Sequence, residues 1–425
     1  MSLLSVLEER GFLSDCTNRV AVEELLKSGE QSIYCGFDPT ANSLTIGNMV
    51  CLMALRHIQE SGHKPIILMG GATGMIGDPS GKSKERNLQT TDMVASNMAG
   101  QRGQFLKFLR FEGPHAAEIV NNNDWCGAIT MIDFLRDVGK FFRIGEMLGK
   151  ESVRNRIQSE VGISYTEFSY MLLQSYDFLH LYKTRKCRFQ CGGSDQWGNI
   201  VAGTELIRKS LGEDAFGFTF PLITTASGEK LGKTAEGAVW LSEEKTSPYE
   251  FYQYWVRADD RDVDRYLKLF TLLPVEKICA IVEEHQRAPE SRSGQKALAE
   301  EVTTLVHGAD EARKAREAAT ALFSDSLTNL SDEKLLELFP DVPSVSASRE
   351  VLESAEGFPL LELVIQAGFA TSKGEARKLV ASSGVYLNNQ AIAAEKRSLV
   401  PSDLASPSMA ILRAGKKRYC IVKFE

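Results

Sequence analysis

Two lysines on a glycine hinge, Lys230-Leu231-Gly232-Lys233-Thr234, form the segment of this chain most loaded for chemistry. Ammonium groups on a loop that can close would stabilise charge developing on phosphate oxygens. The plainer reading of two such lysines is a solvated surface loop. Lys82, Lys84 and Arg86 follow the glycine-rich stretch from Gly70 to Gly81 and likewise suit a polyanion. That stretch is neither standard nucleotide motif. Gly77 to Gly81 is one residue short of a P-loop, and the glycines do not fall in the dinucleotide-binding order.

Three polar clusters could hold a small ligand. In Tyr34-Cys35-Gly36-Phe37-Asp38-Pro39-Thr40, Gly36 permits close approach to the backbone. Thr45-Ile46-Gly47-Asn48 then opens a helix whose first N–H groups attract phosphate, or serves only as a cap and tight turn. Tyr170, Gln174 and Asp177 fall on one helical stripe amid Phe168, Met171, Leu172 and Phe178, and the alternative is a polar solvent face. Ser164 and Glu167 have capping-box spacing and set the start of that helix. In the third cluster, Gln190 to Asn199, Gly192 and Gly193 end a strand and Asp195 could accept from a ribose hydroxyl.

The elements that must position these groups alternate. Strands are expected near Gln31 to Gly36, Pro65 to Gly70 and Arg188 to Cys191, with a helix from about Met49 to Glu60. Strand, glycine turn, helix is the pattern of a doubly wound α/β fold, whose ligands lie at the carboxyl ends of the strands. A Rossmann-like domain is therefore expected over residues 1–245. Aromatics crowd Tyr249 to Trp255, and helical periodicity then runs to Phe323, giving a helical domain over 246–323. Residues 324–357 read as a linker with one short helix near Glu333 to Phe339. Residues 358–425 read as a small α+β module.

The chain has 425 residues, 25% of them charged and 43% apolar, and a net charge of −7, the profile of an ordinary globular protein. The average conceals an asymmetry. Residues 358–425 hold six Lys and four Arg against five acids, a net +5, so the rest stands at −12. A basic module on an acidic body points to a polyanionic partner for that module. The opening residues lack a basic run and meet Glu8 and Glu9 at once, so a secretory leader is not expected and a cytoplasmic protein is. Eight cysteines show no repeated spacing, and Cys187-x-x-x-Cys191 has no nearby His, so no metal site is expected.

Taken together, in order and spacing, the five segments resemble bacterial-type tyrosyl-tRNA synthetases, which are class I enzymes, and the likeness spans the whole chain. The resemblance implies a two-step reaction. Tyrosine and Mg-ATP give tyrosyl-adenylate and pyrophosphate, and the tyrosyl group then passes to the terminal adenosine of tRNA. It implies that Tyr34 and Asp177 bind the phenol, that Tyr170, Gln174 and Asp78 bind the ammonium, and that Gln196 lies near the carboxylate. Cys35, Gly36, Asp38, Gly47, Gly192, Asp195 and Thr234 belong by resemblance to the ATP and adenylate site. Thr40, Thr45 and Asn48 would meet the phosphates, and Lys82, Arg86, Lys230 and Lys233 the leaving pyrophosphate.

Two segments depart from the class pattern. Thr45-Ile46-Gly47-Asn48 stands where His-x-Gly-His is usual, replacing both imidazoles by neutral side chains. That form is similar to the tryptophanyl sister enzymes, which remain an alternative, as does a catalytically weak RNA-binding relative. Lys230 to Thr234 differs from Lys-Met-Ser-Lys-Ser but keeps both lysines. The C-terminal module resembles a small RNA-binding fold shared with a ribosomal protein. It offers Lys373, Arg377, Lys378, Arg413, Lys416 and Lys417 to tRNA, with residues 246–323 as the anticodon-binding domain and a homodimer as the family's assembly.

Overall fold

A computed structural model describes residues 2–80, 88–158, 162–234, 237–323, 331–339, 342–392, 398–415 and 418–425. Lys82, Lys84, Arg86, Lys416 and Lys417, expected at polyanion sites, lie outside the described residues. The chain divides into two units, Met1–Thr246 with Tyr254–Val306, and Ser247–Gln253 with His307–Glu425.

The first unit is built on a parallel sheet. Its strands are β1 (Ser32–Phe37), β2 (Lys64–Met69), β3 (Glu118–Asn121), β4 (Phe189–Gly193) and β5 (Phe216–Phe220), in the order β3-β2-β1-β4-β5. β2 reads Lys-Pro-Ile-Ile-Leu-Met and is buried from Pro65 to Met69, the near-continuous apolar run that a sheet covered on both faces requires. The order reverses between β1 and β4, so the crevice beyond their carboxyl ends is where a ligand should sit. This is the doubly wound sheet expected from the sequence.

Helices Ile46–Glu60, Tyr165–Arg185 and Trp197–Leu211 flank the sheet. Phe178 of the second turns its ring edge onto Tyr34 of β1 at 5.3 Å, in a core with Ile66, Leu68, Val120 and Leu206. Each such side chain contributes roughly 2–3 kcal/mol on burial. The start of the Tyr165–Arg185 helix is fixed twice. Ser164 accepts from the Glu167 N–H at 3.3 Å, and the Glu167 carboxylate pairs at 2.7 Å with Arg156, both side chains 1% exposed. The capping-box spacing thus marks the helix start, while Glu167 is committed to a buried ion pair.

Helices Pro248–Val256, Val263–Phe270, Val275–Arg287, Ser293–His307 and Ala309–Phe323 occupy the stretch read as helical. Trp255 packs against Tyr266 and Phe270, with ring centroids 5.9 and 5.0 Å away.

The second unit contains a mixed sheet in the order Gln390–Ala391, Val385–Leu387, Met409–Ala414, Arg418–Phe424, Ser344–Ala347. One face packs on helices Leu360–Gln366 and Lys373–Ala381 through Leu363, Val364, Ala376, Leu412 and Val422. The other buries Ile411 and Ile421 against Ala318, Leu335 and Phe339. The short helix expected near Glu333 is present as Asp332–Leu338. The segment read as a linker carries more than that helix. Its Ser344–Ala347 strand pairs in parallel with Arg418–Phe424, because an edge strand needs only one paired side and its Ser-Val-Ser-Ala shows too little apolar character to announce it.

Candidate active site

At one end of the crevice Asp177 lies on the Tyr165–Arg185 helix, 2% exposed. Trp125 Nε1 donates to its Oδ1 at 2.7 Å, and Asn122 Nδ2 to its Oδ2 at 3.0 Å. Burial raises its pKa to about 7 although these donors pull the other way. The Tyr34 hydroxyl is buried and has no hydrogen-bond partner among the described residues, and burial together with the Asp177 charge holds its pKa well above the usual phenol range. A carboxylate acceptor and a stranded hydroxyl at the end of an apolar slot are what a phenolic ligand would satisfy.

The middle of the site is a connected set of polar groups. Tyr170 Oη donates to Asp38 Oδ2 at 2.9 Å, and Thr73 Oγ1 donates to Asp38 Oδ1 at 2.7 Å. Asn122 Nδ2 reaches Thr73 Oγ1 at 3.0 Å as well as Asp177, so it joins the two ends. Gly70 is required here, since a Cβ on it would fall 2.1 Å from Asp38 Oδ1. Beside them Gln196 Nε2 donates to Asp78 Oδ2 at 2.6 Å, and Asn199 Nδ2 donates to Gln174 Oε1 at 3.0 Å. Two carboxylates, Asp38 and Asp78, with the amide oxygen of Gln174 are suited to an ammonium group. Asp38, expected with the adenylate, has its oxygens on Tyr170 and Thr73.

The nucleotide end opens over β1. Gly36 is exposed in the middle strand of the sheet, and nothing lies within 4 Å of where its Cβ would stand. That leaves bare backbone on which a ligand can lie. Gly192 and Asp195 stand at the end of β4 across the strand-order reversal. Cys35 faces Cys191 in register. Its thiol is pushed well up in pKa, first by the hydrogen bond with Cys191 and further by burial, so it is a neutral donor. Thr40 is exposed and its N–H donates to the Asp38 carbonyl at 2.9 Å.

Thr45 caps the Ile46–Glu60 helix. Its N–H and hydroxyl both donate to Asn48 Oδ1, at 2.9 and 3.0 Å. The Thr45 proton is therefore committed to the cap, and Asn48 Nδ2 is the donor the pair offers to an anion. The lysine loop packs on this helix start, for a Cβ on Gly232 would lie 3.3 Å from Ile46 Cβ. Lys230 and Lys233 are exposed, and Lys233–Thr234 pairs as a short strand with Gly237–Ala238. Gly47, also exposed, has the Leu231 carbonyl 4.0 Å from its Cβ position.

Sequence reasoning missed Asn122 and Trp125 and assigned no role to Thr73 or Asn199, which lie inside stretches it did single out. The available signal was the run Asn121-Asn122-Asn123 at the end of β3, polar residues where the fold expects a ligand. A cavity of about 770 Å³ flanks Trp125 and His180 along β3, and none of the expected site residues lines it. Among the described residues no group of three or more His, Cys, Asp or Glu is placed to hold a metal ion.

In the second unit Ser372 caps the Lys373–Ala381 helix, with Lys373, Arg377 and Lys378 exposed and Lys373 bonded to Glu362 at 2.9 Å. Arg413 does not join them. It shares the sheet face of Ile411, and stacks 3.7 Å over the ring of Tyr386, while the helices cover the face of Leu412.

Residues 26–324 match the family model described as tRNA synthetases class I (W and Y). Residues 334–422 match that of a tyrosine--tRNA ligase SYY-like C-terminal domain. A tyrosine--tRNA ligase of Geobacillus kaustophilus is 49% identical over 426 residues, covering 100% of both chains. One of Rhodopirellula baltica is 48% identical over 424 residues, covering 100% of this chain and 97% of its own. Among solved structures, a C-terminally truncated mitochondrial tyrosyl-tRNA synthetase of Aspergillus nidulans superposes with a TM-score of 0.70. It is 35% identical over 76% of this chain and 94% of that one.

Proposed function

We propose that this chain, a member of the class I tRNA synthetases (W and Y), is a tyrosine--tRNA ligase that activates tyrosine with ATP and passes the tyrosyl group to tRNA. The observation that carries the choice of amino acid is the unpartnered Tyr34 hydroxyl near Asp177. A phenol donates to the Asp177 carboxylate and accepts from Tyr34, satisfying both. Phenylalanine gives Asp177 no donor beyond Trp125 and Asn122 and leaves the Tyr34 hydroxyl stranded, and a stranded buried polar group costs roughly 1–3 kcal/mol. Tryptophan, favoured by Thr45-Ile46-Gly47-Asn48, has one N–H donor and no acceptor, so it would satisfy Asp177 but leave the Tyr34 proton without a partner.

Activation is an in-line attack by the substrate carboxylate on the α-phosphorus of Mg-ATP, which depends on placement and on stabilised charge. Tyr170, Gln174 and Asp78 hold the ammonium, Asp38 orients Tyr170, and Gln196 stands by the carboxylate. The ribose lies over Gly36 and Gly192, with Asp195 and Cys35 at its hydroxyls. Asn48 Nδ2 and the helix N-terminus meet the triphosphate, and Lys230 and Lys233 neutralise the pyrophosphate as it leaves. Thr40, Thr234, Lys82 and Arg86 complete the phosphate side of this assignment. The basic module, through Lys373, Arg377 and Lys378, contacts the tRNA backbone, which makes that affinity salt-dependent. Residues 246–323 serve the anticodon end.

The protein acts as a cytoplasmic homodimer in this reading. Met131, Ile132, Ile144 and Tyr165 are 72%, 71%, 59% and 71% exposed, an apolar set that an identical copy would cover. Among the described residues no helix is long and apolar enough to cross a membrane. The deciding experiment is ATP–pyrophosphate exchange with each of the twenty amino acids. Exchange dependent on tyrosine is expected; dependence on tryptophan, or no exchange, overturns the assignment.

A further inference from the structure

The lysine loop is gripped by groups that none of the roles above uses. Residues 223–231 form a hairpin in which Leu231 N–H donates to the Ile223 carbonyl at 3.0 Å and Thr225 N–H to the Glu229 carbonyl at 2.8 Å. Gly228, at φ +88°, lies in its turn, and Lys230 stands opposite Thr224. Asp262, 4% exposed, holds the outgoing arm. Its Oδ2 accepts from the Ala226 N–H at 2.8 Å and its Oδ1 from the Arg265 guanidinium at 3.0 Å, while Arg265 also donates to the Thr224 carbonyl. Further along, Tyr254 Oη accepts from the Gly232 N–H at 2.9 Å.

Asp262 sits at the N-cap of the Val263–Phe270 helix, yet its side chain makes no cap hydrogen bond there. The carboxylate is spent on the loop instead. It bonds directly to the backbone of Ala226 and, through Arg265, to that of Thr224, the residue paired with Lys230. We propose that Asp262 is the positioning residue of the lysine loop: with Arg265 it fixes where the Lys230 ammonium stands when charge develops on the departing pyrophosphate. Asp262 touches no substrate. Its effect is on distance, and preorganised charge loses its value quickly when misplaced by an ångström.

This inference rests on the ligase reading, and its test separates the two. Tyrosine-dependent ATP–pyrophosphate exchange is measured on the full-length protein and on Asp262→Ala, Lys230→Ala and the double variant. Asp262→Ala should lower kcat by about 10–100-fold with the KM for tyrosine within about twofold, because an interaction used in the transition state is weakened and tyrosine binding is not. The double variant should be no more than about threefold slower than Lys230→Ala, since placing an absent ammonium has no value. Should Asp262→Ala fail to fold, Arg265→Ala removes the exposed half of the clamp and should show the same kcat-only loss and the same non-additivity with Lys230→Ala. Unchanged kcat, a matching rise in the KM for tyrosine, or losses that multiply in the double variant would each overturn the clamp. Absence of exchange in the unaltered protein would instead bring down the ligase reading, and this one with it.

Discussion

Acidification from about pH 8 to about pH 6 should weaken tyrosine binding through one residue, Asp177, whose pKa burial raises to about 7. The phenol needs an ionised acceptor there, because a charge-assisted bond is about twice as strong as a neutral one. One pH unit below that pKa about a tenth of the sites are ionised, so apparent affinity falls roughly tenfold, or about 1.4 kcal/mol. The same titration acts on folding with the opposite sign. The folded-state pKa lies above the ordinary 3.8. The protonated group therefore favours the folded state at low pH, and that advantage is lost as pH rises from about 4 through about 7, at most about 4 kcal/mol. Ligand-free protein should lose stability from Asp177 over the range in which tyrosine binding improves. Equilibrium dialysis with labelled tyrosine and urea unfolding, both at stepped pH, read the two effects on the wild type and on Asp177→Asn. The Asn variant should bind tyrosine weakly and with no slope attributable to this site. Wild-type binding that stays flat between those pH values, or a slope that survives in Asp177→Asn, would refute the reasoning.

Two further outcomes are expected. Arg156→Ala strands the Glu167 carboxylate at 1% exposure and should cost about 3–5 kcal/mol in thermal unfolding, whereas replacing both partners by Met and Leu should recover most of it. Ile132→Asp places a charge in the exposed apolar set, and sedimentation should then report half the wild-type mass.

The sequence made β1, β2 and β4 legible because they are apolar runs with a glycine at or next to their ends, whereas β3 and β5 end at Asn121 and Phe220 and lack that signal. The fold rule then locates the ligand at the carboxyl ends. Tyr34, Tyr170, Gln174 and Asp177 could be nominated because two of the most regular elements, β1 and a 21-residue helix, carry them. Thr73, Asn122 and Trp125 escaped because they sit in and beside one-turn helices, Thr73–Ile76 and Asn123–Cys126, where no periodicity distinguishes a buried polar group from a loop residue. By resemblance both Thr45 and Asn48 meet the phosphates. Only the three-dimensional cap reveals that Asn48 Oδ1 takes the Thr45 proton. The resemblance to an RNA-binding fold sets Arg413 with the helix cations. Strand alternation puts it on the opposite face, and a one-residue shift of register would have reversed that.

Asn122 has one side-chain amide nitrogen, and it serves Asp177 and Thr73 at once. Each hydrogen of that NH₂ is already spoken for, so the head and tail of the amino-acid pocket share a part. Redesign toward a different amino acid therefore cannot treat side-chain recognition as an exchangeable cartridge. A substitution at Asp177 that turns Asn122 also releases Thr73, then Asp38 and Tyr170, and would loosen the grip on the ammonium common to every amino acid. Variants selected for a new side chain should then carry a second change at Asn122 or Thr73, the residues that tie Asp177 to the ammonium end.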